Sequence, residues 1–545
     1  MASAASSPAV VADTVYVNGH VITLDPGAPT ATGVAIKDGR FMAVGGDTLA
    51  RTLTGPDTEV VDLGGATVIP GFNDSHCHIE CAGQAGLVVD LAAVRSVAEA
   101  LEAVRSFADS RQPGEWVTGS GWHPLAQLTE SRYLTRAELD GAAPHNPVYL
   151  PTVGHVAMAN SSAFEHAGID DGTPDPVGGI IGRDEAGRPT GVLYERALDL
   201  IANCMPCWSV EQLEHQFVTG LAHANRFGIT SVLQPWLSSS GIRAVQRLML
   251  AGRLTARMGV MWIPEPLVTI DEWARTISGS GVSSWFGDEW MKLVGIKLVV
   301  DGGMSLRSAL MREAYPDCPH HHGTATLERE HLIDLVLTAQ EYDWRLGVHC
   351  VGDRAVDYVL DAFEAADRVR SLVGWRYALI HGSLARRDQL ERARALGARL
   401  ELQPAFLWNK AATIEKFLGT ETTSRAVPMR TAIDVLGIDN VSMGTDYPTN
   451  DLNPFTNLYL AVTRKDIRGV TYGADEAVTR EEALRAYTAS GAFATRDETI
   501  KGTISPGKLA DFAVLSDDYL SVDVERIKDI EAVRTVVGGR VVFKG

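Results

Sequence analysis

Val68-Ile69-Pro70-Gly71-Phe72-Asn73-Asp74-Ser75-His76-Cys77-His78 is an apolar, strand-like run that ends in a His-x-His pair. Side chains two apart on an extended backbone point to the same side, so both imidazoles can grip one metal ion. Alone, the pair reads equally well as two histidines in a polar loop. The rest of the chain separates the two readings, because further ligand-type residues close other strand-like runs. Residues 293–301 are apolar except for Lys297, which interrupts what is otherwise a fully buried strand. Residues 345–349 end in His349, 377–381 in His381 and 440–446 in Asp446. His76, His78, Lys297, His349, His381 and Asp446, in that order on successive strands, make a complete ligand set for a metal hydrolase.

Outward from these strands, the chain between 67 and 495 alternates strand-like runs with helical periodicity. The first run, 229–234, 258–263, the Lys297, His349 and His381 runs, 400–403 and the Asp446 run are the strands; 211–227, 330–342, 355–369 and 386–396 carry apolar residues at helical spacing. Strands in this alternation predict an α/β fold, a (β/α)8 TIM-like barrel whose catalytic residues sit at the C-terminal strand ends. All six candidate ligands fall there.

The two ends of the chain differ in kind. Asn18-Gly19 and Asp38-Gly39 each lie between apolar runs, the pattern of a tight hairpin, and Gly538-Gly539 divides another pair of runs near the C-terminus. Neither end has enough strands for a sheet of its own, so 10–66 and 496–545 are expected to combine into one small β-sandwich. Residues 80–209, between the first two barrel strands, are too many for a crossover. They predict an insertion subdomain covering the active site.

Composition narrows the classes of partner. With 545 residues, 45% of them hydrophobic, the chain can build a large core, and its formal charge of -19 argues against nucleic acid or an anionic membrane surface. No stretch has the length of a membrane span, and Met1 to Pro8 lacks the basic and apolar regions of a signal peptide. Six cysteines are too few for a disulfide framework, which fits a reducing, cytoplasmic setting. Cys204-Met205-Pro206-Cys207 has no second pair, so ordinary thiols are the simpler reading than a redox or zinc motif.

The chain resembles the amidohydrolase superfamily, in the branch that includes N-substituted formamide deformylase. The resemblance covers nearly the whole length. It rests on the Pro70 to His78 run, Ile296-Lys297 with Asp301-Gly302, Val348-His349 with Gly352-Asp353, His381-Gly382, Gly444-Thr445-Asp446 and the closing Gly502 to Phe512 motif. Gly302-Gly303-Met304-Ser305-Leu306-Arg307 departs from the Gly-Ser-Leu-Gly-Ser-Arg usual among relatives, which touches substrate identity rather than metal binding. The resemblance implies one or two divalent ions, zinc foremost, held by His76 and His78 and by His349 and His381, with Lys297 carbamylated and bridging. The alternative for Lys297 is a free amine that follows apolar surface or pairs with Asp301, leaving a single metal. Asp446 would bind metal and shuttle the proton as a metal-bound hydroxide attacks a non-peptide amide. Asp74 reads as a group orienting the first histidine pair. Dimers are common in such families, so a homodimer is compatible with the resemblance, though no residue here establishes one.

For the substrate the signals are thinner. His155, in the insertion, is a candidate donor to the oxyanion, or else a structural histidine. Trp122, Trp236, Phe406 and Trp408 could wall an apolar substituent, or pack in the core. Arg307 could anchor a carboxylate, or pair with a surface acid. Ring opening of a cyclic amide or imide, deamination, and a scaffold without turnover are the alternatives to hydrolysis of a small-molecule amide.

Overall fold

The run from Thr67 to His78 is divided between two sheets in the computed structural model, which describes residues 10–152, 154–264 and 269–545. The opening Met1 to Pro8 lies outside the described residues. Thr67–Pro70 pairs with His20–Ile22 and Phe512–Leu515, whereas Phe72–Asp74 opens the barrel as β1. Gly71 is the break. Its N–H donates to Asp511 O (3.1 Å), and a Cβ at this position would sit 2.2 Å from the Thr230 side chain. Both short strands are buried on both faces, so a continuous apolar run hides the division.

The remaining barrel strands are Ile229–Leu237 (β2), Arg257–Trp262 (β3), Met291–Val299 (β4), Leu346–Cys350 (β5), Ala378–His381 (β6), Arg399–Leu402 (β7) and Val441–Met443 (β8). Each pairs in parallel with its neighbour in chain order. The barrel nearly closes between β8 and the end of β1, where Ser75 N–H and Oγ both donate to Met443 O (3.1 and 2.8 Å) and Asp446 N–H donates to His76 O (2.7 Å). The periodic segments form the helices Val210–Asn225, Arg329–Glu341, Asp353–Val369 and Arg387–Ala395. The first is started by a capping box, Ser209 with Gln212. One large core packs these helices onto the strands.

The termini meet in two sheets, one of four strands and one of six. Tyr16, Ile36 and Phe41 from the first pack on Val68, Phe512 and Val536 from the second, with the Tyr16 and Phe512 rings edge to face at 5.1 Å. Asp38-Gly39 and Gly538-Gly539 make the expected hairpins, with positive φ at all four residues. Asn18-Gly19 does not. Thr14–Val17 pairs with Gly33–Lys37 and Glu59–Asp62, while His20–Ile22 pairs in the other sheet, so this turn passes the chain across the sandwich.

Barrel and sandwich are joined by a buried ion pair. Arg257 of β3 donates from Nε and Nη2 to both oxygens of Asp511 (2.6 and 3.0 Å), Asp511 also accepts Gly538 N–H (2.7 Å), and the guanidinium lies 4.5 Å over Trp290. Removing one member strands the other charge in the interior. Asp511→Ala is therefore expected to destabilise the fold by about 3–5 kcal/mol, seen as an earlier urea midpoint; an unmoved midpoint would show that the pair contributes nothing.

Between β1 and β2 the chain builds a further six-stranded sheet, from Val89–Asp90 to Pro189–Glu195, flanked by Val97–Asp109, Arg136–Ala142 and Ser161–Ala167 and packed around its own apolar clusters. The six cysteines are free; Cys204 and Cys207 are exposed and follow the short helix Asp199–Ala202. Among the described residues no helix is long and apolar enough to cross a membrane.

Candidate metal centre

At the end of β1 the chain turns so that His76 and His78 face the barrel axis. Asp74 holds this turn to the end of β8, accepting from His76 N–H (3.2 Å), Thr445 N–H (3.0 Å), Thr445 Oγ1 (2.8 Å) and Tyr487 OH (3.1 Å). It orients the backbone that carries the first histidine, and makes none of these contacts to an imidazole. The two chain segments touch so closely at Gly444 that a Cβ would lie 2.5 Å from His76 N. Asp446 follows with φ +55°, and its Oδ1 lies 3.4 Å from His76 Nε2 and 3.6 Å from His78 Nε2. Donor atoms of these three residues all lie within 4.8 Å of one another.

Beneath them, Lys297 on β4 is buried. Burial pushes its amine down to about 8, while Asp446 and Glu401 act through space in the opposite sense. Asp301 is engaged elsewhere, accepting the N–H groups of Leu310, Val351 and Gly352 (2.8 Å each). Burial still pushes its carboxyl up to about 7. His381, at φ +70° at the end of β6, is held through Nδ1 by Gln403 Oε1 (2.7 Å), which leaves Nε2 for the centre. The rings of His76, His381, His349 and His155 follow one another at centroid distances of 4.7, 4.5 and 4.9 Å.

This set fits a divalent cation. Burial, with like charges nearby, holds His76 and His349 well below the ordinary imidazole range and His381 at about 4, so all three present neutral lone pairs. Asp446 is held on the ionised side: burial opposes this, but the neighbouring His78, His381 and Lys297 outweigh it. His349 Nε2 is buried with no hydrogen-bond partner, 3.6 Å from Asp301 Oδ1. Neutral imidazoles with a carboxylate are the donors that zinc and its neighbours in the first transition row take.

All six candidate ligands line a cavity of about 910 Å³, walled partly by the insertion. Trp122, Trp236 and Phe406 line it too; Phe406 lies 5.6 Å from the His381 ring. His155 reaches it from the insertion, its Nδ1 2.8 Å from Glu195 Oε2. Burial would lower the His155 pKa, but Glu195 more than compensates and it is raised. Trp408 and Arg307 are placed otherwise: Trp408 packs on Tyr459 (6.0 Å), and Arg307 pairs with Asp317 (2.8 Å) over Tyr315 and Phe417, neither lining the cavity. Both lie in connections whose side-chain direction depends on tertiary contacts.

Four further residues serve the site without a motif to announce them. Glu195 sits at φ +49° with Oε1 buried and unpartnered. Lys410 is a buried amine in the cavity wall, pushed down to about 8 by burial. Glu401 lies 3.8 Å from His76 Nδ1, with Arg345 and Arg399 behind it at 3.4 and 3.7 Å. Gln403 holds His381. For the last two the sequence holds a signal: Glu401 and Gln403 alternate with Leu400 and Leu402, which places two polar side chains on one face of an internal strand.

Comparison with known proteins supplies the chemical context. The amidohydrolase family pattern matches residues 59–543. N-substituted formamide deformylase of Arthrobacter pascens is 30% identical over 544 residues, 97% of this chain and 97% of that protein. The protein LONG AFTER FAR-RED 3 of Arabidopsis thaliana is 29% identical over 549 residues, 98% of this chain and 92% of its own. The crystal structure of an uncharacterized metal-dependent hydrolase from Pyrococcus horikoshii OT3 superposes with a TM-score of 0.74 at 26% identity, covering 94% of this chain and 99% of that one.

Proposed function

The chain belongs to the amidohydrolase family and is a hydrolase acting on carbon–nitrogen bonds; from that premise we propose that it cleaves a non-peptide amide of a small molecule at a divalent-metal centre. The observation that carries this reading is the cluster of His76, His78 and Asp446 donor atoms, set above Lys297 and opening into the 910 Å³ cavity. His76, His78 and Asp446 would hold one ion, zinc by the chemistry of the donors, and His349 and His381 a second, with Lys297, once carbamylated by carbon dioxide, as a further oxygen ligand. The ion supplies Lewis acidity, which brings the pKa of water toward about 7 and polarises a carbonyl.

The chain's own residues do the rest. Asp446 takes the proton as water adds to the carbonyl carbon and returns it to the departing nitrogen, which is a poor leaving group as an anion. His155, fixed through Nδ1 by Glu195, offers its other ring nitrogen toward the cavity, where a donor would stabilise the oxygen of the tetrahedral intermediate. Trp122, Trp236 and Phe406 receive the apolar part of the substrate, and the insertion 80–209 keeps bulk water from it. The test is metal content per chain on protein purified without chelator, followed by a panel of N-formyl, N-acyl, aryl and cyclic amides. Metal at one or two per chain, with free amine released and lost on chelation, is the expected result. Protein that binds no metal, or releases ammonia or ring-opened acid alone, would overturn the reading.

A further inference from the structure

Lys410 stands just before the helix Ala411–Arg425 and is 2% exposed. Its ammonium donates to Thr449 O (2.8 Å) and Asn450 Oδ1 (2.6 Å), both in the turn that follows Asp446, and lies 5.8 Å from the centre of the Phe406 ring. Two of its three protons are thereby engaged, and the side chain forms part of the cavity wall, so the third is left for whatever fills the cavity. A carbonyl and an amide oxygen satisfy hydrogen bonds but supply no countercharge. Among the described residues the acid that acts on Lys410 is Asp446, through space and without a hydrogen bond, and Asp446 is committed to the metal centre. A buried ammonium is costly unless an anion meets it.

We propose that the amide substrate carries a carboxylate and that Lys410 receives it, with Phe406 beneath the adjoining apolar part. This rests on the hydrolase reading and narrows it to amides with an anionic group within reach of the metal centre. Trp122 and Trp236 line the same cavity and are available to the apolar remainder of the substrate. The competing reading of the same contacts is a bracket, in which Lys410 only ties the turn 446–450 to its own helix.

Calorimetric titration of the holoenzyme with phenylacetate, and with 2-phenylethanol as its neutral counterpart, distinguishes the two. Neither probe contains an amide, so the result is independent of turnover. The wild-type protein is expected to bind phenylacetate at least about tenfold more tightly than the alcohol, the scale of one charge-assisted hydrogen bond. Lys410→Gln removes that preference while keeping its metal, and Lys410→Arg restores part of it. A preference that survives in Lys410→Gln would place the carboxylate on the metal and overturn the proposal. Equal weakening of both probes, or loss of metal from the variant, would establish the bracket and overturn it too. Metal content is measured on the same wild-type sample: protein without metal would overturn the hydrolase reading and this proposal with it, whereas metal-loaded protein without the phenylacetate preference would overturn this proposal alone.

Discussion

Asp446→Asn is expected to lower kcat by about 10²–10⁴-fold, the range lost with a general acid–base group. Asparagine keeps the shape and one carbonyl oxygen, so it can stay near His76 and His78, whose Nε2 atoms lie 3.4 and 3.6 Å from Asp446 Oδ1. It cannot take a proton. The backbone at this position is already constrained at φ +55° and held by the Asp446 N–H to His76 O bond, so the substitution changes chemistry more than geometry. Steady-state kinetics on the best amide of the panel, with metal content measured on the same sample, checks this. A fully metallated variant with kcat within tenfold of the parent would remove Asp446 from proton transfer.

Lys297→Ala is expected to take metal content from two per chain to one or none, with kcat falling by at least about 10²-fold as the centre loses a ligand. The side chain is buried among imidazoles, where an ammonium beside a dication is opposed by desolvation and like charge; a carbamate reverses the sign. The vacated volume admits a short carboxylate, so acetate should restore part of the metal content. Detection of the carbamate by intact mass would confirm it directly. Metal content unaltered by Lys297→Ala would establish a mononuclear centre and favour deamination over amide hydrolysis.

Most of the barrel is readable from residue order because most of its strands are short apolar runs with a polar residue at or just past the C-terminal end, and the helices between have clear apolar periodicity. What escapes is information carried by contacts distant in sequence. The division of Thr67 to Asp74 depends on Gly71 meeting Thr230 and Asp511. Asn18-Gly19 announces a reversal without saying which sheet receives the next strand. At the centre, His76, Lys297, His349, His381 and Asp446 share one end of the barrel because they sit at or near the C-terminal ends of its strands. Loop residues have no such guide: Trp122 and Phe406 turn into the cavity, Trp408 and Arg307 do not, and Glu195 acquires meaning only beside His155, 40 positions away.

The sandwich assembled from both termini also sets the order of events on the ribosome. Thr67–Pro70 must wait for Phe512–Leu515, its antiparallel partner, which at ordinary elongation rates emerges roughly 20–90 s later. Through that interval the nascent chain presents an apolar strand edge with unsatisfied N–H and C=O groups, an invitation to pair with a neighbouring chain. A polypeptide released a few dozen residues early would carry nearly every residue of the centre and still leave that edge open.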